Sequence, residues 1–207
     1  MNIVDCEQGS EEWHIARSGK VTASSVENVL AKGKGGAESK TRKDYLIQIA
    51  TERLIGRPAG DSYFSDVMKW GLEQEPFARA AYEMHAKTFV DQVGFVLHPT
   101  IDGAGMSPDG LVGDTGLVEI KCPLSKTHVR YRLENKVPAE YCMQMLWQMA
   151  CAERDWCDFV SFDPRMPEDL QLFVVRFERD DEAIKAMEAE VLTFLTEVDE
   201  LIKRLRK

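Results

Sequence analysis

Ser107-Pro108-Asp109-Gly110-Leu111-Val112-Gly113-Asp114-Thr115-Gly116-Leu117-Val118-Glu119-Ile120-Lys121 is the stretch that decides how this chain is read. Gly113 to Gly116 reads as a hairpin loop between two strands, Met106 to Leu111 and Leu117 to Lys121. Side chains alternate along a strand, so Glu119 and Lys121 share one face while Val118 and Ile120 share the other. Closing the loop brings Asp109 level with Glu119 or Ile120, and a kink at Pro108-Asp109-Gly110 can turn its carboxylate towards Glu119. Two carboxylates held this close repel unless one is protonated or a cation lies between them. Mg²⁺ suits that place, because it prefers hard oxygen ligands and keeps waters. Lys121 beside it can orient or deprotonate a water, or balance charge as it builds on a phosphate. Phosphodiester hydrolysis by a metal-activated water is the chemistry this arrangement favours. A plainer reading also fits: Glu119 and Lys121 as a charge pair on a wet sheet face, and Asp109-Gly110 as an ordinary turn.

On either side of the hairpin the periodicity predicts a mixed α/β domain, a small central sheet flanked by helices. Helices are expected over Ser10 to Arg17 with Trp13 inward, Ser24 to Leu30, and Lys43 to Ile55 with Leu46, Ile47, Ala50 and Leu54 on one face. Another is expected over Trp70 to Ala86, with a break or start near Pro76, and another over Ala139 to Ala152. Strands are expected at Val93 to His98, Trp156 to Phe162 and Leu170 to Phe177. A last helix begins near Asp181, with its apolar residues packed on the sheet or forming a seam for a partner. The whole is read as one domain over 1–207: a helical part over 1–90, a sheet core over about 91–177 and a terminal helix over about 181–206.

Composition narrows the function classes. No apolar stretch approaches the roughly 20 residues of a membrane span, and the start Met1-Asn2-Ile3-Val4-Asp5 is not a signal peptide, so a cytoplasmic protein is expected. Five cysteines without a Cys-x-x-Cys pair argue against a disulfide framework or zinc knuckle, and scattered histidines argue against a histidine metal site. Gly33-Lys34-Gly35-Gly36 reads as a mobile basic loop and lacks the Lys-Ser/Thr ending of a phosphate-binding P-loop. The net charge of −9 speaks against a protein that coats nucleic acid. It is uneven, however: residues 17–57 carry nine Lys/Arg against four acids, whereas 177–207 carry nine acids against six bases. An internal basic channel on an acidic protein would reconcile the two.

Several blocks in the same order carry a resemblance. They are Glu7-Gln8-Gly9 with Trp13, Arg17-x-Gly19, Val21-Thr22-Ala23-Ser24, Trp70-Gly71 with Glu75 and Ala78-Arg79, and Ser107-Pro108-Asp109-Gly110-Leu111. Glu119-Ile120-Lys121-Cys122-Pro123, Tyr141 with Gln144, and Asp163-Pro164-Arg165-Met166 complete them. In these the chain resembles the lambda-exonuclease and YqaJ-type viral recombinase family of the PD-(D/E)xK nuclease superfamily. The resemblance implies a restriction-endonuclease-like core and a 5′-to-3′ exonuclease that digests one strand of linear, preferably 5′-phosphorylated, double-stranded DNA. It implies Asp109, Glu119 and the Ile120 backbone carbonyl as ligands of Mg²⁺, with Mn²⁺ a substitute, Lys121 as the catalytic lysine and Glu75 as an acid near the metal. Arg17, Ser24, Ser107 and Gln144 match the 5′-phosphate pocket, where a charged fork, hydroxyls and an amide all donate to phosphate. From the residues alone, Ser24 followed by Glu27 also fits a capping box, Ser107 a turn and Gln144 a polar helix face. The resemblance further implies a homotrimeric ring, a single-strand annealing partner and a phage or prophage role in recombination. A DNA endonuclease on the same fold and an inactive DNA-binding subunit are the alternatives, and the intact Asp109, Glu119 and Lys121 argue against the second.

Overall fold

The computed structural model describes residues 1–33, 35, 39–60 and 66–207. Lys34 and Gly36 of the predicted basic loop therefore lie outside the described residues. Among the described residues two mixed sheets, not one, form the centre. The first runs in the order β1 (Asn2–Val4), β4 (Phe95–Leu97), β5 (Ala104–Met106), β2 (Val21–Thr22). The second runs β3 (Val90–Asp91), β6 (Gly110–Val112), β7 (Gly116–Lys121), β8 (Trp156–Phe162), β9 (Leu172–Glu178). The strand expected over Met106 to Leu111 is thus two strands in different sheets, and Ser107-Pro108-Asp109 is the strap that crosses between them. Pro108 has no N–H to give a ladder, which favours leaving the sheet there. Gln8 pins the strap by donating to the carbonyls of Pro108 and Val93, both at 2.8 Å.

β7 is the centre of the larger sheet, antiparallel to β6 with Gly110 opposite Val118 and parallel to β8 with Glu119 opposite Phe159. Both of its faces are covered, as a near-continuous apolar run requires. Val118 and Ile120 pack with Ala78 and Tyr82 of α4 (Asp66–Ala86) and with Val160 and Phe162. Leu117 packs on the other side, in the larger core that holds Met145, Trp147 and Met149 of α6 (Ala139–Ala152). α4 runs unbroken through Pro76, contrary to the break expected there. Pro76 sits on the exposed side of the helix, where water can satisfy the Leu72 carbonyl that the proline cannot.

Of the remaining α-helices, all but the first contribute residues to the larger core. α1 (Glu11–Arg17) starts at Ser10, whose hydroxyl accepts from Trp13 N at 3.2 Å. A 3-10 turn (Ala23–Ser25) leads into α2 (Val26–Leu30), so Ser24 makes no helix cap. α3 (Lys40–Ile55) ends on Gly56 at φ 72°, the left-handed stop that glycine supplies cheaply. Its buried face is Tyr45, Ile49, Ala50 and Glu52, while Ile47 and Leu54 of the expected face are exposed. α5 (Ser125–Glu134) follows β7. α7 (Asp181–Leu205) packs through Ile184, Met187, Val191, Phe194, Leu195 and Val198 mainly against α3, α2 and α6 of its own chain, in the core those helices share with the sheets. A bidentate Arg42–Glu197 pair at 2.6 and 2.9 Å and Arg53–Asp199 at 2.8 Å fasten it. No helix among the described residues is long and apolar enough to cross a membrane.

Candidate active site

The strap and the end of β7 bring the acidic residues together. Asp109 directly precedes β6, and its Oδ2 accepts from Ile120 N at 2.6 Å. That bond continues the β6–β7 ladder through a side chain and holds the carboxylate beside Glu119. Glu119 is 1% exposed, on the α6 side of β7. Its Oε1 accepts from Lys121 and, at 2.6 Å, from Gln144 Nε2; its Oε2 accepts from Gln148 Nε2 at 2.6 Å. The face of Glu119 and Lys121 is therefore no wet sheet surface but a lined interior with three donors on one carboxylate.

Charge follows from this geometry. Burial and the neighbouring Glu119 push the Asp109 carboxyl up to about 8, against the pull of Lys121. Burial works against the Lys121 ammonium, but Glu119 and Asp109 outweigh it and hold the lysine above its ordinary value. The Lys121 ammonium also lies 5.3 Å from the centre of the Tyr141 ring, a cation–π contact. Asp109, Ile120, Lys121 and Tyr141, with Met68, Gly71, Leu72 and Glu75 of α4, line an open cleft of about 470 Å³. Glu75 also gives one oxygen to Arg79 at 2.6 Å. Arg165 donates to Asp163 and to the carbonyl of Pro123, a cleft-lining residue, and stacks 4.6 Å over Trp70.

Among the described residues no three His, Cys, Asp or Glu side chains gather as a metal cage. Two carboxylates and a backbone carbonyl fit an ion that retains waters, as Mg²⁺ does. The raised Asp109 fits the same view, since a cation between the two acids would relieve their repulsion.

A second polar cluster lies at the other end of the strap. Ser107 Oγ accepts from Trp13 Nε1 at 2.8 Å and from Arg17 Nη1 at 3.1 Å. Both lone pairs are then used, and the Ser107 proton is left to donate. Arg17 Nη2 reaches Ser24 Oγ at 3.3 Å, and its guanidinium lies 4.2 Å over the Trp13 ring. Burial lowers the Arg17 guanidinium from its ordinary value, yet it stays charged at neutral pH. A fork, two hydroxyls and an indole make a donor-rich corner suited to an anion. Arg17, Ser24 and Ser107 are thus together, whereas Gln144 bonds to Glu119 instead. The sequence marks Gln8 only as part of a motif block, without a role, and marks neither Gln148 nor the link from Trp13 to Ser107; for Gln148 the four-residue step from Gln144 is the available signal.

A restriction-endonuclease-like α/β core with an acid–acid–lysine site at a strand end defines a class, and the comparisons narrow it. Residues 12–155 match the model of the YqaJ-like viral recombinase domain. The chain belongs to that family. It is similar to an alkaline exonuclease, LHK-Exo, from Laribacter hongkongensis: 46% identity, 95% of this chain and 96% of that one covered, TM-score 0.86. The same protein in complex with dAMP superposes with TM-score 0.87 at 46% identity, over 95% and 96% of the two chains. A phage-related exonuclease from Haemophilus somnus 129PT shares the fold at 20% identity and TM-score 0.71, with 90% of this chain and 96% of that one covered. No curated protein matches significantly.

Proposed function

We propose that the chain is a Mg²⁺-dependent exonuclease that degrades the 5′-ended strand of linear double-stranded DNA and leaves a 3′ overhang. The observation that carries the reading is that Asp109 and Lys121 line an open cleft with the buried Glu119 beside them, in a chain 46% identical to an alkaline exonuclease. Asp109, Glu119 and the Ile120 carbonyl would hold the ion, which would supply a Lewis acid and an activated water. Lys121, held as an ammonium by the two acids, would place a positive charge where the phosphate gains negative charge. Glu119 keeps Lys121 in place, and the Tyr141 ring backs the ammonium. Glu75 adds a second carboxylate to the cleft wall beside Asp109. Arg17, Ser24 and Ser107 would hold a terminal 5′-phosphate on the far side of the strap. The relative's complex with dAMP agrees with release of nucleoside monophosphates from a chain end.

The reading extends to a homotrimeric ring around the duplex, a single-strand annealing partner for the overhang, and a phage-encoded protein acting in the bacterial cytoplasm. The test is digestion of linear duplex labelled at either the 5′ or the 3′ end, with Mg²⁺ or with EDTA, beside a covalently closed circle. Early release of the 5′ label with Mg²⁺ only, and an intact circle, is the expected result. Early release of the 3′ label reverses the polarity, and cutting of the circle makes the protein an endonuclease.

A further inference from the structure

We propose that Gln148 is the positioning residue of Glu119, a buried neutral donor that fixes the carboxylate for the divalent ion; this rests on reading Asp109 and Glu119 as that ion's site. Glu119 has two oxygens, and the fold treats them differently. Oε1 is shared by Lys121 and Gln144, both half-buried, and Lys121 lines the cleft. Oε2 is held at 2.6 Å by Gln148, which is 0% exposed and has no route to the cleft. Gln148 can therefore act on the chemistry only through Glu119.

The orientation of the Gln148 amide is set from behind. Cys157 Sγ of β8 donates to Gln148 Oε1 at 3.9 Å, so the amide presents its oxygen to the thiol and its NH₂ to Glu119. Cys157 is opposite Leu117 in the β7–β8 register, and it is buried. The chain of contacts thus runs β8 to α6 to β7, through elements that pack in one core. Residue type matters as well as place. A buried carboxylate needs donors, but a second ammonium or guanidinium at position 148 would neutralise Glu119 and compete with a cation. An amide satisfies Oε2 and leaves the negative charge intact. Groups that hold a metal-binding carboxylate from behind typically change metal affinity or activity by about 10–100-fold when removed.

The experiment uses the full chain and Mn²⁺ as the probe, read by electron paramagnetic resonance, with kcat and KM on linear duplex and thermal melting alongside. Gln148→Met keeps the volume and deletes the donor; Gln148→Asn keeps an amide but draws it back by one methylene, and serves if the Met protein does not fold. Glu119→Ala defines the site. The expected result is an Mn²⁺ affinity lower by about 10-fold or more in either Gln148 variant, a matching loss of kcat at subsaturating metal, and an unchanged KM for DNA. Mn²⁺ affinity equal to wild type in a folded Gln148 variant overturns the proposal. So does a loss carried by the KM for DNA alone. If wild type holds no Mn²⁺ that Glu119→Ala abolishes, the reading of the site itself fails, and Gln148 with it.

Discussion

Ser107 and Asp109 stand two residues apart on one strap yet serve different clusters: Ser107 accepts from Trp13 and Arg17, and Asp109 accepts from Ile120 N. The strap joins two sheets, so one short piece of backbone couples a donor-rich corner to an acidic cleft.

The acidic end gives the first expectation. Asp109→Ala and Lys121→Ala each remove a charge placed where the reaction needs it, worth about 10²–10³ in rate for one preorganised group. Both proteins are expected to lose digestion of linear duplex by at least that factor and to keep their far-UV circular dichroism. Near-normal rates in either would remove that residue from the site.

The donor-rich end is separable. Arg17→Ala removes a charge-assisted fork that contributes about 1.5–3 kcal/mol, or roughly tenfold to a hundredfold. Rates on 5′-phosphorylated duplex are expected to fall by that factor, with a much smaller change on 5′-hydroxyl duplex. Competition between the two substrates measures it, and an equal fall on both places Arg17 elsewhere.

Gly110 is required by a close approach. A Cβ there would come 2.0 Å from Val90 Cγ1, in the pairing of β3 with β6. Gly110→Ala is expected to cost about 1–3 kcal/mol by overpacking, seen as a lower urea midpoint with an unchanged slope. An unchanged midpoint would mean that β3 moves aside freely.

Asp163 gives a pH dependence whose sign can be worked out. Burial acts to raise this carboxyl, but hydrogen bonds from Arg165 and Ser125 outweigh it and hold it below its ordinary value. A depressed carboxylate stabilises the fold above the unfolded pKa of about 3.9, and the contribution disappears as pH falls through the folded value. Asp163→Asn is therefore expected to lower stability at pH 7 by about 1–3 kcal/mol, with the gap to wild type closing below about pH 4. A gap that does not narrow as the pH falls below about 4 would assign the loss to packing.

Where one element buries a long patterned face, its place was legible. α6 and β8 lie where the periodicity puts them, at Ala139–Ala152 and Trp156–Phe162, and α7 begins at Asp181 as expected. The two- and three-residue strands β1, β2 and β3 are too short to show a period, and α5 carries few apolar residues, with only His128 and Tyr131 buried. The division of Met106 to Leu111 between sheets was hidden for a different reason. Sheet membership also depends on distant partners, β2 for one strand and β3 for the other, and no local pattern records them. The same holds at the site. The nearness of Asp109 to Glu119 follows from a hairpin and could be read. The turn of Gln144 and Gln148 onto Glu119 depends on how α6 lies across β7, which only the packed core determines.

The strap has a consequence for product size. Two residue steps span at most about 7 Å when fully extended, so the grip on a strand's end and the bond to be cut cannot drift apart. Under the proposed reading Ser107-Pro108-Asp109 is a ruler: it sets how much of the strand is removed at each event. Lengthening it by a residue would change the size of the fragments before it changed how the protein recognises DNA.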